Sequence, residues 1–330
     1  MFGFSLLYNQ TEQCATGFYG KKLLCYNPRM TRIVFMGSPE FALPSLRALA
    51  GEYEVVGVVT QPNRASGRGR EFKPPPVKSL ALEFGVPVIQ PEKLRAPKAM
   101  EGLRAWSPDL IVVAAFGQIL KQDVLDLPRL GCLNVHASLL PRWRGAAPIQ
   151  AAILHGDEET GVTIMKMDAG LDTGAMLAKK SLRLKSDDTA GSVTDALSRL
   201  GADLLIETLP RWIAGEIQPE PQDDSLSTYA PMLKKEDGRL DFTRDVQELE
   251  RRVRAFNPWP GAFMEFDNAI LKIHRAHVEA GDASAGERLI LANQPAVGAG
   301  SGLLVLDEVQ PAGKKSMSGK SFLAGARHWS

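Results

Sequence analysis

Two uninterrupted apolar runs, RIVFM at residues 32–36 and DLIVVAA at 109–115, constrain this chain more than any other feature. A strand with one wet face alternates apolar and polar residues, whereas one buried on both faces reads as a continuous run. Such strands need cover on both sides, which helices between them supply. Gly37-Ser38-Pro39 ends the first run, and Pro39 suits the first turn of a helix running toward Leu49. Further strands are expected at 55–60, 132–135, 161–167 and 176–182, with a helix at 77–83. Asp188 or Thr189 can cap a long helix whose Val193, Leu197, Leu200 and Leu204 recur at helical spacing. The alternation predicts an α/β sheet from about residue 31 to 215.

The pattern then changes. Residues 216–234, polar and proline-bearing at their start, are expected to link two domains. A helix over 245–255 would turn Val246, Leu249 and Val253 inward and Arg251, Arg252 and Arg254 outward. Short strands at 262–266, 269–276, 288–292 and 302–309 suggest a small β-barrel, so residues 235–330 form the second domain. Two domains suit a chain of 330 residues. No apolar run approaches the ~20 residues that span a bilayer. Cys14, Cys25 and Cys132 are odd in number and lack metal-ligand spacing, which points to a reducing compartment without disulfides.

Net charge is +1, so any polyanion must be met locally. Residues 311–330 hold Lys314, Lys315, Lys320 and Arg327 with no acid, and 64–78 hold Arg64, Arg68, Arg70, Lys73 and Lys78 against Glu71 alone. Solvated loops would look the same. The polar stretch 61–76 is long for a plain connection, as functional loops tend to be. Residues 1–29 fit neither a secretory signal nor an Arg-rich transit peptide. They read as an unstructured extension or an over-long start, and they leave the compartment open between bacterial cytoplasm and an organelle.

Chemistry concentrates at two places. The strand at 132–135 runs into Asn134 and His136, which point to one side because they lie two apart. In an open α/β sheet, ligands bind outside the carboxyl ends of the strands. Met167-Asp168-Ala169-Gly170-Leu171-Asp172-Thr173-Gly174 offers two carboxylates, either of which could orient His136. An ordinary turn uses Asp and Gly in the same way. Gly37-Ser38-Pro39-Glu40-Phe41-Ala42 lacks the second and third glycines of a dinucleotide fingerprint. With no Cys-x-x-Cys pair, His-Glu-x-x-His or Walker loop, no metal is expected.

On these residues the sequence resembles the methionyl-tRNA formyltransferases, within the folate-dependent formyltransferases. The resemblance rests on RIVFMGSPEFALPSL (32–46), TQPNRASGRGR (60–70), AAFGQIL (114–120), NVHASLLPRWRGAAPIQ (134–150) and TGVTIMKMDAGLDTG (160–174). In the second half it rests on TYAPMLKKEDGRLDF (228–242), RAFNPWPGAF (254–263) and VQPAGKK (309–315), so it runs from about 30 to 330. It implies a Rossmann-like, mostly parallel catalytic domain over 30–215 and an OB-like tRNA-binding barrel over 235–330.

The resemblance further implies 10-formyltetrahydrofolate as formyl donor and the amine of methionyl-initiator tRNA as acceptor. Asn134, His136 and Asp172 would be catalytic. Ser138, Leu139, Leu140 and Pro141 would line the folate site, with Gln118, Ile119 and Leu120 at the pterin edge. Arg64, Arg68, Arg70, Arg251, Arg254, Lys314 and Lys315 would meet tRNA. A monomer without a membrane anchor is expected. A formyltransferase acting on a nucleotide sugar or on glycinamide ribonucleotide would differ in or lack the second domain. A non-catalytic RNA-binding module would tolerate loss of the polar trio, which this chain keeps.

Overall fold

A computed structural model describes residues 30–66, 71–326 and 328–330. The expected extension at 1–29 lies outside the described residues, as do Arg68, Arg70 and Arg327. The first domain opens with β1 (Arg32–Gly37), α1 (Leu43–Glu52) and β2 (Glu54–Val59). A hairpin of β3 (Arg64–Ser66) and β4 (Glu71–Lys73) leads to α2 (Pro76–Glu83), β5 (Val88–Ile89) and α3 (Pro97–Trp106). Then come β6 (Leu110–Ala114), α4 (Gln122–Leu125), β7 (Cys132–His136), β8 (Arg144–Gly145) and α5 (Pro148–Leu154). The domain ends with β9 (Glu159–Lys166), β10 (Met176–Arg183) and α6 (Ala190–Ile213).

Seven strands form the main sheet in the order β10-β9-β7-β6-β1-β2-β5. From β5 to β7 all neighbours are parallel, and β9 is antiparallel to both β7 and β10. The continuous apolar runs follow from burial on two faces. Ile33 and Phe35 enter one core with Leu46, Leu49, Leu197 and Leu205 of α1 and α6. Val34 and Met36 enter the other with Met100 and Leu103 of α3. All four β1 side chains have 0% exposure, each burial contributing about 1.5–3 kcal/mol. Thr189, not Asp188, caps α6: its hydroxyl accepts from the Ser192 N–H while its own N–H donates to Ser192 Oγ.

The strand order reverses at β1, with β2 on one side and β6 on the other, which opens a crevice beyond the carboxyl ends of β1, β6 and β7. Gly37 permits this junction, because a Cβ there would stand 2.7 Å from the Ala114 carbonyl oxygen.

The stretch read from sequence as a linker is a strap fastened to the first domain. Glu220 exchanges two 2.8 Å backbone hydrogen bonds with Met176. Beyond it, β11 (Tyr229–Ala230) pairs in parallel with β8.

The second domain contains α7 (Val246–Ala255), β12 (Ala262–Phe266), β13 (Ala269–Glu279), β14 (Arg288–Leu291), β15 (Gln294–Ala299), β16 (Gly302–Pro311), β17 (Met317–Ser318) and α8 (Gly319–Leu323). Its strand order is β12-β13-β16-β15-β14, with β17 added to β16. Strand β15 was not among the expected strands, since proline and glycine are rare inside strands, yet with Pro295 and Gly298 it buries Ala296 and Val297 fully. The edge strands β12 and β14 share no ladder; side chains bridge them. Trp329 packs against Phe266 of β12 at 5.3 Å and donates from Nε1 to the Leu289 carbonyl of β14 at 2.9 Å. Asp245 caps α7 by accepting from the Gln247 and Glu248 N–H groups, which seats Val246, Leu249 and Val253 in the barrel core.

Candidate active site

Strand β7 delivers Asn134 and His136 to the crevice, with 9% and 6% exposure. The backbone beyond them is set by Thr163 of β9. Its hydroxyl donates to the Ser138 carbonyl at 2.7 Å and accepts from the Leu140 N–H at 3.1 Å. Ser138 Oγ donates to the Arg142 carbonyl at 2.6 Å, closing the turn that presents Trp143. The Trp143 carbonyl lies 3.0 Å from His136 Nε2. A carbonyl only accepts, so Nε2 carries a proton and Nδ1 is left facing Asp172.

Asp172 arrives from the β9–β10 loop in a left-handed backbone conformation, with φ of 53°. Its Oδ2 lies 3.7 Å from His136 Nδ1 and accepts the Gly145 N–H at 2.9 Å. Its Oδ1 is 3.5 Å from Asn134 Nδ2, the long limit of a hydrogen bond. Amide, imidazole and carboxylate therefore converge on one point. The other carboxylate of the loop is excluded by its own bonds: Asp168 Oδ1 accepts from the Gly170 N–H and from Thr173 Oγ1, stapling the turn at its exposed side.

The residues expected to meet folate divide into two sets. Ile119 is 70% exposed, and Leu139 and Pro141 are half-buried. Leu120, Ser138 and Leu140 are buried to 2% exposure or less, so their side chains shape the wall from behind. Gln118 spends its carboxamide on the Leu94 N–H and the Pro91 carbonyl. A cavity of about 210 Å³ lies beside it, lined by Lys93, Leu94, Arg95, Gln118, Ile119 and Lys121 among others. A larger cavity of about 390 Å³ sits behind Trp143 and does not touch the polar trio.

The cations expected to meet tRNA also divide. Arg64 on β3 and Lys314 and Lys315 beyond β16 are exposed. Arg251 and Arg254 do point away from the barrel core, and there they fasten the domain junction. Arg251 Nε donates to the Leu154 carbonyl of α5 at 3.1 Å. Arg254 grips both oxygens of Glu250 and donates to the Asp188 carbonyl at 3.1 Å. A basic stripe on a helix does not reveal that another domain packs on it.

Sequence reasoning missed Gly145, Trp143 and Thr163 as parts of the site. The SLLPRWRG motif marked the first two as special without assigning them a task. Cys132, two residues before Asn134 on β7, lies on the same sheet face as the polar pair but is sealed in the core with Val34, Ile111 and Val124; burial, and secondarily Asp126, pushes its thiol up to about 12. Among the described residues no helix is long and apolar enough to cross a membrane.

Comparison with known proteins bears on the whole arrangement. A family profile described as formyl transferase matches residues 31–209, and one described as formyl transferase, C-terminal domain, matches 232–327. The methionyl-tRNA formyltransferase of Citrifermentans bemidjiense is 52% identical over 296 residues, covering 89% of this chain and 93% of its own. That of Myxococcus xanthus is 52% identical over 297 residues, covering 89% and 95%. HypX from Aquifex aeolicus, solved in complex with tetrahydrofolic acid, shares the fold with a TM-score of 0.60 at 18% identity. That match covers 90% of this chain and 47% of HypX, so the chain spans about half the length of that structure. With both profiles matched in order and half-identical relatives along nine-tenths of its length, the chain belongs to the formyl transferase family, among the methionyl-tRNA formyltransferases.

Proposed function

We propose that this chain transfers a formyl group from 10-formyltetrahydrofolate to the amino group of methionyl-initiator tRNA, giving formylmethionyl-tRNA for translation initiation. The observation that carries the reading is the meeting of Asn134, His136 and Asp172 within 3.5–3.7 Å at the carboxyl end of β7. The residues present fit the donor. A formyl oxygen calls for a fixed amide donor, which Asn134 supplies. A flat ring calls for apolar walls, and Ile119 and Leu171 stand 70% and 51% exposed on the loops after β6 and β9. When bound, the folate supplies the activated formyl carbon that the amine attacks.

The side chains do the rest. Asn134 donates to the formyl oxygen as negative charge develops on it, and one such donor is worth about 3–4 kcal/mol. The imidazole of His136, anchored by its Nε2 proton on the Trp143 carbonyl, holds or passes a second proton at Nδ1. Asp172 stabilises that proton and takes the one released by the attacking amine, directly or through water, while a proton returns to the folate nitrogen that leaves. Positioned acid–base help of this kind contributes about 10²–10⁴-fold.

Arg64, Arg68 and Arg70 on the 61–76 loop, with Lys314 and Lys315, would meet phosphates of the acceptor stem, contacts that position without reading sequence. We take 30–215 as the catalytic unit, 216–234 as the strap and 235–330 as the tRNA-binding barrel, in a monomer working in the bacterial cytoplasm. The test is mass analysis of methionyl-tRNA after incubation with 10-formyltetrahydrofolate. Gain of one formyl group with the wild type, and its loss in His136→Ala, is the expected result. A wild type that leaves the amine unmodified would end this reading.

A further inference from the structure

Asp172 takes its place through a left-handed backbone, a conformation rarely held by residues other than glycine. Asp168 staples the exposed side of this turn, and the Asp172 and Gly174 carbonyls are held from outside it. Gln222, on the strap between the domains, donates its two amide hydrogens to the carbonyl oxygens of Asp172 at 2.8 Å and Gly174 at 2.7 Å. Its Oε1 accepts from Arg144 Nε at 3.0 Å. Arg144, with a side chain only 12% exposed, also reaches Asp224 of the strap at 2.7 Å. The next residue, Gly145, gives its N–H to the Asp172 carboxylate. The contacts close a ring: Asp172 backbone, Gln222, Arg144, Gly145, Asp172 carboxylate.

Only an amide fits the centre of that ring. Two carbonyls need two N–H donors and the guanidinium needs an acceptor, and one carboxamide supplies both at opposite ends. The ring is also sterically closed. Gly145 has φ of 113°, and a Cβ there would stand 2.5 Å from the Ala230 carbonyl, so β8 and β11 lie against each other without slack.

We infer that Gln222 is a positioning residue for the formyl transfer: it fixes the Asp172 turn, and with it the carboxylate, from a segment outside the catalytic fold. The inference rests on the function proposed above. It makes the strap, whose far end enters the second domain, part of the catalytic apparatus. Displacing a catalytic group by about 1 Å costs on the order of 10²-fold, so removal of the clamp should lower kcat by about 10- to 100-fold.

The test compares formylation of methionyl-tRNA by Gln222→Met and Gln222→Glu in the full chain, alone and combined with Asp172→Asn. Glutamate keeps the side-chain volume and the acceptor for Arg144 but turns oxygen toward the two carbonyls. The expected result is a lower kcat with KM for methionyl-tRNA within about 2-fold. In the Asp172→Asn background, whose residual rate is read under single-turnover conditions, the Gln222 change should cost little more, because residues acting as one unit are not additive. Wild-type kcat in both folded variants overturns the inference, and so does a loss that multiplies fully with that of Asp172→Asn. Thermal melting identifies any variant that fails to fold, and the other variant then decides. An inactive wild type would instead strike at the proposed reaction.

Discussion

His136 and Asp172 face each other across the crevice with Nδ1 3.7 Å from Oδ2, the imidazole pinned behind by the Trp143 carbonyl and the carboxylate by the Gly145 N–H. Each partner is held by backbone rather than by a mobile side chain. The pair therefore forms without substrate and keeps its direction.

Replacing that carboxylate with an amide leaves the shape and removes the charge. Asp172→Asn is expected to lower kcat by about 10²–10⁴-fold, with KM for methionyl-tRNA little changed. Steady-state formylation kinetics check this. A variant within threefold of wild type would remove Asp172 from the proton path.

The free and the engaged cations should separate under salt. Lys314→Gln and Lys315→Gln are each expected to weaken tRNA binding and to reduce the salt slope by about 1. Arg254→Met should leave the slope alone and cost about 1–3 kcal/mol of stability, because it abandons Glu250 and the Asp188 carbonyl. Filter binding across a salt series, with urea unfolding, distinguishes the two behaviours.

Cys132 gives a pH dependence with a definite sign. Burial raises its pKa from 9.0 to about 12, so the folded chain holds a proton that the unfolded chain releases. The stability this confers is fully present below pH 9.0 and is lost as pH rises toward about 12. Cys132→Val should flatten the decline seen in urea midpoints over that window. The same burial makes the native thiol slow toward alkylating reagents near neutral pH.

Trp329 bridges the two edges of the barrel and is 1% exposed. Trp329→Ala is expected to cost about 3–5 kcal/mol by opening a cavity between Phe266 and Phe322. Differential scanning calorimetry would show the loss. Trp329→Phe, which keeps the ring packing but loses the bond to Leu289, should cost less.

Much of the fold was legible because burial writes itself into local pattern. The doubly buried β1 and β6 could be nothing but central strands, and the Asp188-Thr189 pair announced the start of α6, which Thr189 caps. The polar pair at the end of β7 followed from the two-residue repeat of a strand. Strand β15 was hidden because its small apolar residues, proline and glycine carry no alternation. The outward direction of Arg251 and Arg254 was legible, but a helix pattern records polarity and not whether water or another domain's carbonyls satisfy it.

The sequence by itself determined the layers, the crevice and the family, since hydrophobic period, turn chemistry and motif order are properties of neighbouring residues. The loop pattern alone left Asp168 and Asp172 as equal candidates, and only the family resemblance favoured Asp172. Tertiary structure decided between them by giving Asp168 to its own turn and setting Asp172 against His136 and Gly145. It also brought Gln222 under the Asp172 turn from the far side of β10 and α6. Such choices depend on which distant backbone groups come to lie within hydrogen-bond reach, and only the folded chain fixes those distances.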